Sequence, residues 1–459
     1  YTQEELKEEF KWIPMKTRHD KTDSVNKYKK KYGNNEYVAQ SVMRSILNPV
    51  LMSEIKELGD DKLYEKIFNK INSRIKSQDI HQEKVSDIYY QKKSGLVEDM
   101  GSFNNFLKSQ LMYTYYTALY SGKQLKIFDI GTGRGGDINK FYYVLAEMVV
   151  CMDPDSESLI HSATRSAAST YKRLRDTKPN VPPMHFIHGD AGLPLKYENQ
   201  VKVTGTLNNN NKLLMEKYLN WDNPKIMFDR ANCQFAIHYL LKSEETWNNF
   251  QENINKFLRE GGYFIFTTFD GDIVKEKLLE KGGRYTEYYE ENGEKKILFD
   301  IVQKFDENNK SKIGDTVDIH MGWIFDDGVY VPEYLVYKDF ITKSFKDNCD
   351  MDLVESGLFK DIYNNNEEFI KTSAEYEQDK KRIKFFKNVA KFYNNSEFNS
   401  KCRNYSFLNR YYIFKKKERN LKEVREKYYS NKNNKSTPKI VADVRKSSSK
   451  FTKSKYNKK

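Results

Sequence analysis

The sequence predicts an α/β fold, a mostly parallel sheet with helices on both faces. Three observations carry that reading. Lys126 to Pro154 reads as strand, glycine turn, helix, strand and acid. Strand-like runs then recur at His185–His188, Lys225–Asp229, Tyr263–Thr268 and Ser406–Lys415, with helical spacing between the earlier ones. Apolar residues make up 38% of 459, enough for a core.

In the first unit, Ile127 and Phe128 end a short apolar run, and Asp129-Ile130 lead into the turn Gly131-Thr132-Gly133-Arg134-Gly135-Gly136. Asp137 suits a helix cap, and Ile138, Phe141, Val144 and Leu145 recur at helical spacing. Met148 to Met152 forms the second strand, closed by Asp153. Gly131, Gly133 and Gly136 satisfy G-x-G-x-x-G, with the acid about twenty residues on. Such glycines let backbone approach a ligand, and the acid suits a ribose diol. S-adenosylmethionine and a dinucleotide both present that diol. A glycine turn also serves plain strand-to-helix packing, so the pattern alone leaves the ligand open.

Composition narrows the class. An excess of 78 Lys+Arg over 65 Asp+Glu gives +13, which suits a polyanion partner or reflects a Lys- and Asn-rich composition. Cys151, Cys233, Cys349 and Cys402 are far apart, with no C-x-x-C pair and no histidine cluster. That spacing speaks against a zinc site and a disulfide framework and predicts a reducing compartment, with no metal. No apolar run approaches a membrane span, and no signal peptide opens the sequence. It begins at Tyr1, as a piece of something longer would.

From the amino end, residues 1–35 read as the remnant of a preceding module or a linker, with Trp12-Ile13-Pro14 followed by a dense charged run. Residues 36–95 read as a helical extension broken at Asn48-Pro49. Within Met100–Met112, Asn104, Asn105 and Lys108 fall within about one helical turn. Amides read base or ribose edges, and a lysine meets a carboxylate or phosphate; taken singly they are an ordinary wet surface.

Beyond Asp153, a helix is expected from Ser156 to Leu174, carrying Arg165. Asp190 follows the third strand, where it suits an adenine amine or a plain turn. Asn208 to Asn211 reads as a loop. Arg230 to Tyr239, with Gln234, His238 and Tyr239, leaves the fourth strand toward the ligand crevice or simply opens the next helix. Glu244 to Leu258 is a helix stopped by Gly261-Gly262. Residues 271–320 suggest a hairpin and lid. Glu333, in Trp323–Tyr337, offers a carboxylate to a guanine edge or is an exposed loop acid. From Lys416 the sequence is a lysine-rich tail expected to be disordered and to meet RNA phosphates weakly.

Together FNNFLKS, FDIGTGRGGD, the acid of MDPD, CQFAIHY, GGYFIFTTFDGD and VPEYLVY, in this order, resemble the mRNA cap guanine-N7 methyltransferase family. The likeness is strongest to the methyltransferase portion of multifunctional capping enzymes of large DNA viruses. Residues 1–35 resemble the closing segment of a guanylyltransferase. The resemblance implies a class I (Rossmann-like) S-adenosylmethionine-dependent fold over residues 96–415, with residues 416–459 as tail. It implies that Lys108, Asp129, Gly131, Gly133, Asp153, Asp190, Gln234 and Tyr239 hold S-adenosylmethionine. It gives Asn104, Asn105, Arg134, Lys140, Arg165, His238, Glu333 and either Tyr411 or Tyr412 to the cap. Thr132 and Arg134 stand where the family often has Cys and Lys. Guanine N7 carries a lone pair and no proton, so the implied reaction needs orientation by His238, Tyr239 and Glu333 rather than a general base. The implied partner is the GpppN end of RNA, with a guanylyltransferase or triphosphatase module in the same polypeptide, a stimulatory subunit, and a cytoplasmic setting as further expectations.

Overall fold

The structure is a computed structural model and describes residues 52–57, 63, 67, 95–116, 124–161, 165–204, 209–377 and 379–418. The chain divides into two compact units, Tyr1–Glu83 and Lys84–Lys459. In the first, Met52–Glu57 is a helix within the expected extension. The expectations for residues 1–35 and for the tail beyond 418 lie outside the described residues.

The second unit is built on a seven-stranded sheet. Its strands are β1 (Lys126–Ile130), β2 (Met148–Asp153), β3 (Met184–His188), β4 (Phe228–Gln234), β5 (Leu258–Phe269), β10 (Met351–Leu358) and β11 (Asn409–Lys416). They lie in the order β10-β11-β5-β4-β1-β2-β3. Pairs from β3 through β5 are parallel, and β11 runs antiparallel between β5 and β10. This is the expected class I Rossmann-like sheet, and its order reverses between β1 and β4, where such sheets open a ligand crevice.

Alternation along the strands sorts the core into two layers. Ile127, Val149, Cys151 and Ile265 face α1 (Glu98–Tyr115), α2 (Ile138–Tyr143) and α3 (Ala167–Thr177). Phe128, Val150, Phe264 and Phe266 face the other layer. That layer includes α5 (Asn209–Tyr218), which follows α4 (Tyr197–Thr204), together with α6 (Glu244–Phe257) and α8 (Lys338–Cys349).

The expected hairpin region becomes a helix, α7 (Gly271–Glu280), and a second, antiparallel sheet. Its strands, in spatial order, are β6 (Arg284–Glu291), β7 (Glu294–Gln303), β8 (Thr316–Met321) and β9 (Val331–Tyr334). Between β10 and β11 come α9 (Phe359–Tyr376), α10 (Lys380–Lys391) and α11 (Glu397–Ser406).

Several boundaries differ from expectation, each for a local reason. β4 begins at Phe228 and runs through Gln234 because its polar residues are buried with partners: Asp229 accepts the Lys126 N–H at 2.8 Å and pairs with Arg259. The Gly261-Gly262 pair does not stop α6. It lies inside β5, where Gly261 at φ +70 absorbs a bulge as pairing with β4 jumps from Phe228↔Leu258 to Arg230↔Tyr263. α2 ends at Tyr143, and Leu145 turns out at φ +55, half exposed. The Ser156–Leu174 helix is instead a π-helical turn, Glu157–His161, and then α3, capped by the Ser166 hydroxyl on the Ser169 N–H. The Asn-rich loop contains the start of α5, and the Asn211 amide clips both the N–H and C=O of His188 at 2.9 Å. Ser406 ends α11, so the last strand starts at Asn409.

Candidate active site

The glycine turn is drawn under β2. Gly131 and Thr132 both give their N–H to the Met152 carbonyl, at 2.9 and 3.2 Å. Gly131 sits at φ +71, and a Cβ there would lie 2.4 Å from that of Ala236, so only glycine fits. Asp153, at the end of β2, accepts the Gly133 N–H at 2.7 Å and the Asp155 N–H at 2.8 Å, one on each oxygen. Burial pushes its pKa up to about 6. Each oxygen keeps a lone pair for a diol. Asp190, just past β3, is held by the Gln200 amide on its N–H and C=O (2.7 and 2.9 Å), and its Oδ1 accepts from Gly192. Burial raises its pKa too.

Beneath the turn runs a buried relay. Thr267 donates to Gln234 at 2.9 Å, Gln234 to Asn232 at 2.8 Å, Asn232 to Asp129 at 2.6 Å, and Thr132 to the other Asp129 oxygen at 2.7 Å. Burial, followed by the charge of Asp137, lifts the Asp129 pKa to about 7. Gln234 and Asp129, expected against the cofactor, thus engage the floor of the crevice with their side chains. Sequence reasoning missed Asn232, which lies two residues from Gln234 on the same face of β4; strand alternation was the available signal.

Beside this floor sits an ion triad. Lys108 and Lys140 reach the same Asp137 oxygen at 2.8 and 2.7 Å, and Lys140 also bonds Asn105 at 3.1 Å. Burial pushes the Asp137 carboxyl up, but the two ammonium groups win and hold it well below the usual carboxylate range. Asp137 makes no side-chain cap to α2; its expected capping role is replaced by neutralising two lysines. Two cations on one anion leave a formal positive surplus.

Across the crevice, segments distant in sequence converge. His238 lies on the 3-10 helix Ile237–Lys242 and Glu333 on β9, both buried, with Nε2 3.6 Å from a carboxylate oxygen. Both His238 ring nitrogens are buried without a hydrogen-bond partner among the described residues. Burial lowers its pKa, with Glu333 opposing, so the ring is neutral at pH 7. Tyr239 stacks at a tilt against it, 4.1 Å between centroids. Glu333 is therefore not an exposed loop acid. Asn104 accepts the Ser406 hydroxyl at 3.2 Å, bringing α1 to α11. Arg134 lies half-buried in the glycine turn, and Arg165 immediately precedes the cap of α3. Gly135 lets that end of α3 approach, since a Cβ there would meet the Ala167 Cα at 2.9 Å.

The structure places the two candidate tyrosines of β11 on opposite faces of the strand. Tyr411 gives its hydroxyl to Glu355 at 2.7 Å, and Tyr412 is fully buried on the opposite face, stacked on Phe266 at 4.7 Å. The tyrosine at Glu333 is Tyr405 of α11. Its phenol donates to the Met321 sulfur at 2.9 Å, and burial together with the Glu333 charge raises its pKa far above the ordinary value.

Residues 69–417 match the family model described as the mRNA (guanine-N(7))-methyltransferase domain. The chain is 36% identical over 423 residues to the probable mRNA-capping enzyme of Acanthamoeba polyphaga mimivirus, covering 90% of this chain and 35% of that protein. It is 25% identical over 269 residues to the mRNA-capping enzyme of African swine fever virus, covering 59% and 28%. It is 26% identical over 241 residues to the mRNA cap guanine-N(7) methyltransferase of Cryptococcus neoformans, covering 52% and 33%. The chain thus spans about a third of the length of these relatives.

Proposed function

This chain belongs to the mRNA (guanine-N(7))-methyltransferase family, and on that premise we propose that it methylates N7 of the guanine in a GpppN RNA cap, using S-adenosylmethionine. The observation that carries the reading is the His238–Glu333 pair, buried at 3.6 Å with both imidazole nitrogens lacking a hydrogen-bond partner among the described residues. A buried polar group without a partner costs free energy unless a ligand completes it.

The residues at the turn fit the cofactor. Asp153 and Asp190 suit its ribose diol and adenine amine, Gly131 and Gly133 let it approach, and the Lys108–Asp137 ion pair offers both signs to its amino-acid end. S-adenosylmethionine supplies an electrophilic methyl group on a sulfonium. The chain's own work is orientation and charge. Glu333 accepts hydrogen bonds from the N1–H and N2–H edge of guanine, and neutral His238 donates one N–H beside it. Tyr405 closes that pocket, and Asn104 joins its wall. Arg134, Lys140 and Arg165 suit the 5′-5′ triphosphate. No side chain takes a proton, since N7 has none. Fixing two reactants in line supplies up to roughly 7–11 kcal/mol, and Glu333 favours the positive charge that develops on the base.

The coverage of the viral relatives supports a place as the methyltransferase portion of a multifunctional capping polypeptide, with guanylyltransferase and triphosphatase modules and a stimulatory subunit as partners. No helix among the described residues is long and apolar enough to cross a membrane, and the viral relationship supports a cytoplasmic setting as part of this reading. The test is methyl transfer from labelled S-adenosylmethionine to GpppA-capped RNA. Formation of a 7-methylguanosine cap is expected; transfer to another position, or fluorescence binding of NADH in place of S-adenosylhomocysteine, would overturn the proposal.

A further inference from the structure

Two exposed stripes run away from the cap side of the crevice and end in tyrosines. On α1, Asn105, Ser109 and Tyr113 recur at four-residue steps, so they share one face over about 12 Å. From the glycine turn along α2, Gly136, Asn139 and Tyr143 follow at helical steps. The stripes are joined at their start by the Lys140 bond to Asn105 and by the Lys108–Asp137 pair. Their far ends are solvent-exposed aromatics, Tyr113 at 41% and Tyr143 at 55%. The two phenols lie close enough that Tyr143 adds to the rise, caused first by burial, in the Tyr113 pKa.

Cations flank this end. The Lys178 ammonium stands 5.8 Å from the Tyr142 and Tyr143 rings alike. Exposed Arg173 bonds Thr170, whose hydroxyl in turn donates to the Arg134 carbonyl. Exposed aromatic rings among cations, continuous with a pocket for a phosphorylated ligand, are what single-stranded nucleic acid requires. Bases stack on the rings whatever their identity, and the cations follow the phosphates. A protein partner would find little here, since the exposed tyrosines are isolated tips rather than a broad apolar face.

We infer that this trough carries the first nucleotides after the cap as single-stranded RNA, with bases on Tyr113 and Tyr143 and phosphates on Lys178 and Arg173. The inference rests on the reading of the crevice as a cap pocket, which points the RNA body along the trough. It predicts that the enzyme treats capped RNA better than the bare cap dinucleotide.

The experiment compares turnover on GpppA with turnover and fluorescence anisotropy on a GpppA-capped oligonucleotide of about ten nucleotides, a length within the reach of such platforms. The Tyr113→Ala/Tyr143→Ala chain should lose about thirtyfold or more in kcat/KM and affinity on the RNA, with GpppA turnover unchanged. Tyr143→Phe should restore most of the loss, because stacking needs the ring and not the hydroxyl. Lys178→Ala should lower the slope of log affinity against log salt by about 0.7. Equal losses on both substrates, or unaltered RNA affinity in the double variant, would overturn the inference. An unaltered chain that binds RNA through the tyrosines yet leaves GpppA unmethylated would sink the cap reading and spare the trough.

Discussion

Around the glycine turn, Thr267, Gln234, Asn232, Asp129 and Thr132 satisfy one another in an unbroken relay, whereas the opposite wall holds a histidine with both nitrogens unsatisfied beside a buried glutamate. The first region is assembled from the ends of adjacent parallel strands. The second gathers side chains from α1, a 3-10 turn, β9 and α11, with Asn104 and Ser406 meeting across 302 residues of sequence. The difference is one of completeness: the side chains at the turn satisfy one another, whereas His238 on the opposite wall has no hydrogen-bond partner among the described residues.

That contrast yields an order of effects. The largest belongs to the unfinished wall. Glu333→Ala and His238→Ala should each lower turnover by about 100-fold or more, while calorimetry still registers S-adenosylhomocysteine binding. Loss of cofactor binding in both would break the division between regions. Next comes the triad. Asp137→Ala leaves two buried ammonium groups without their anion and should cost about 3 kcal/mol of stability, read from the urea midpoint. Unchanged stability would mean the lysines relax to water. Asp153→Asn should weaken S-adenosylhomocysteine binding by about 10-fold.

The smallest effect is one of pH. Asp153 has its pKa raised to about 6, so it is ionised above that pH and protonated below it. Only the carboxylate accepts fully from a diol, so cofactor affinity should fall as pH drops through about 6. For folding the sign is opposite: a carboxyl raised above its unfolded value of 3.8 costs stability that appears as pH climbs from about 4 to about 6. Asp129, raised to about 7, titrates nearby. Asp153→Asn should therefore abolish the lower step and leave the upper one.

The sequence made the first region legible and the second only in part. Strand, glycine turn and acid are local, and their chemistry is fixed by neighbours within about twenty residues. Boundaries failed where tertiary partners overrode local signals. Arg230 to Gln234 read as a segment leaving the strand because partners such as the Tyr115 carbonyl and Asp129 come from other elements. The glycine pair read as a helix stop although it serves a bulge. Asp137 read as a cap because nothing local reveals that Lys108 comes to it. Tyr405 gave no local signal as a neighbour of Glu333: it lies on a helix, and only the tertiary placement of α11 brings its phenol to Met321 and Glu333. Periodicity tells which face of an element is buried and not against what.

The strand β11 sits between β5 and β10, and its Arg410 pairs with Asp270 across 140 residues of sequence. During synthesis the edge of β5 therefore stays bare until the second sheet, α9, α10 and α11 have emerged. Contacts of such long range close slowly, because the entropy of the intervening loop opposes them. Parallel strands β1 to β5 are free to pair early and form the nucleotide turn, while Tyr405 and Asn409 arrive late. A nascent chain would thus complete its glycine turn before the segment carrying Tyr405 and Asn409 has joined the sheet, and an unpaired β5 edge in that interval is where misassembly would begin.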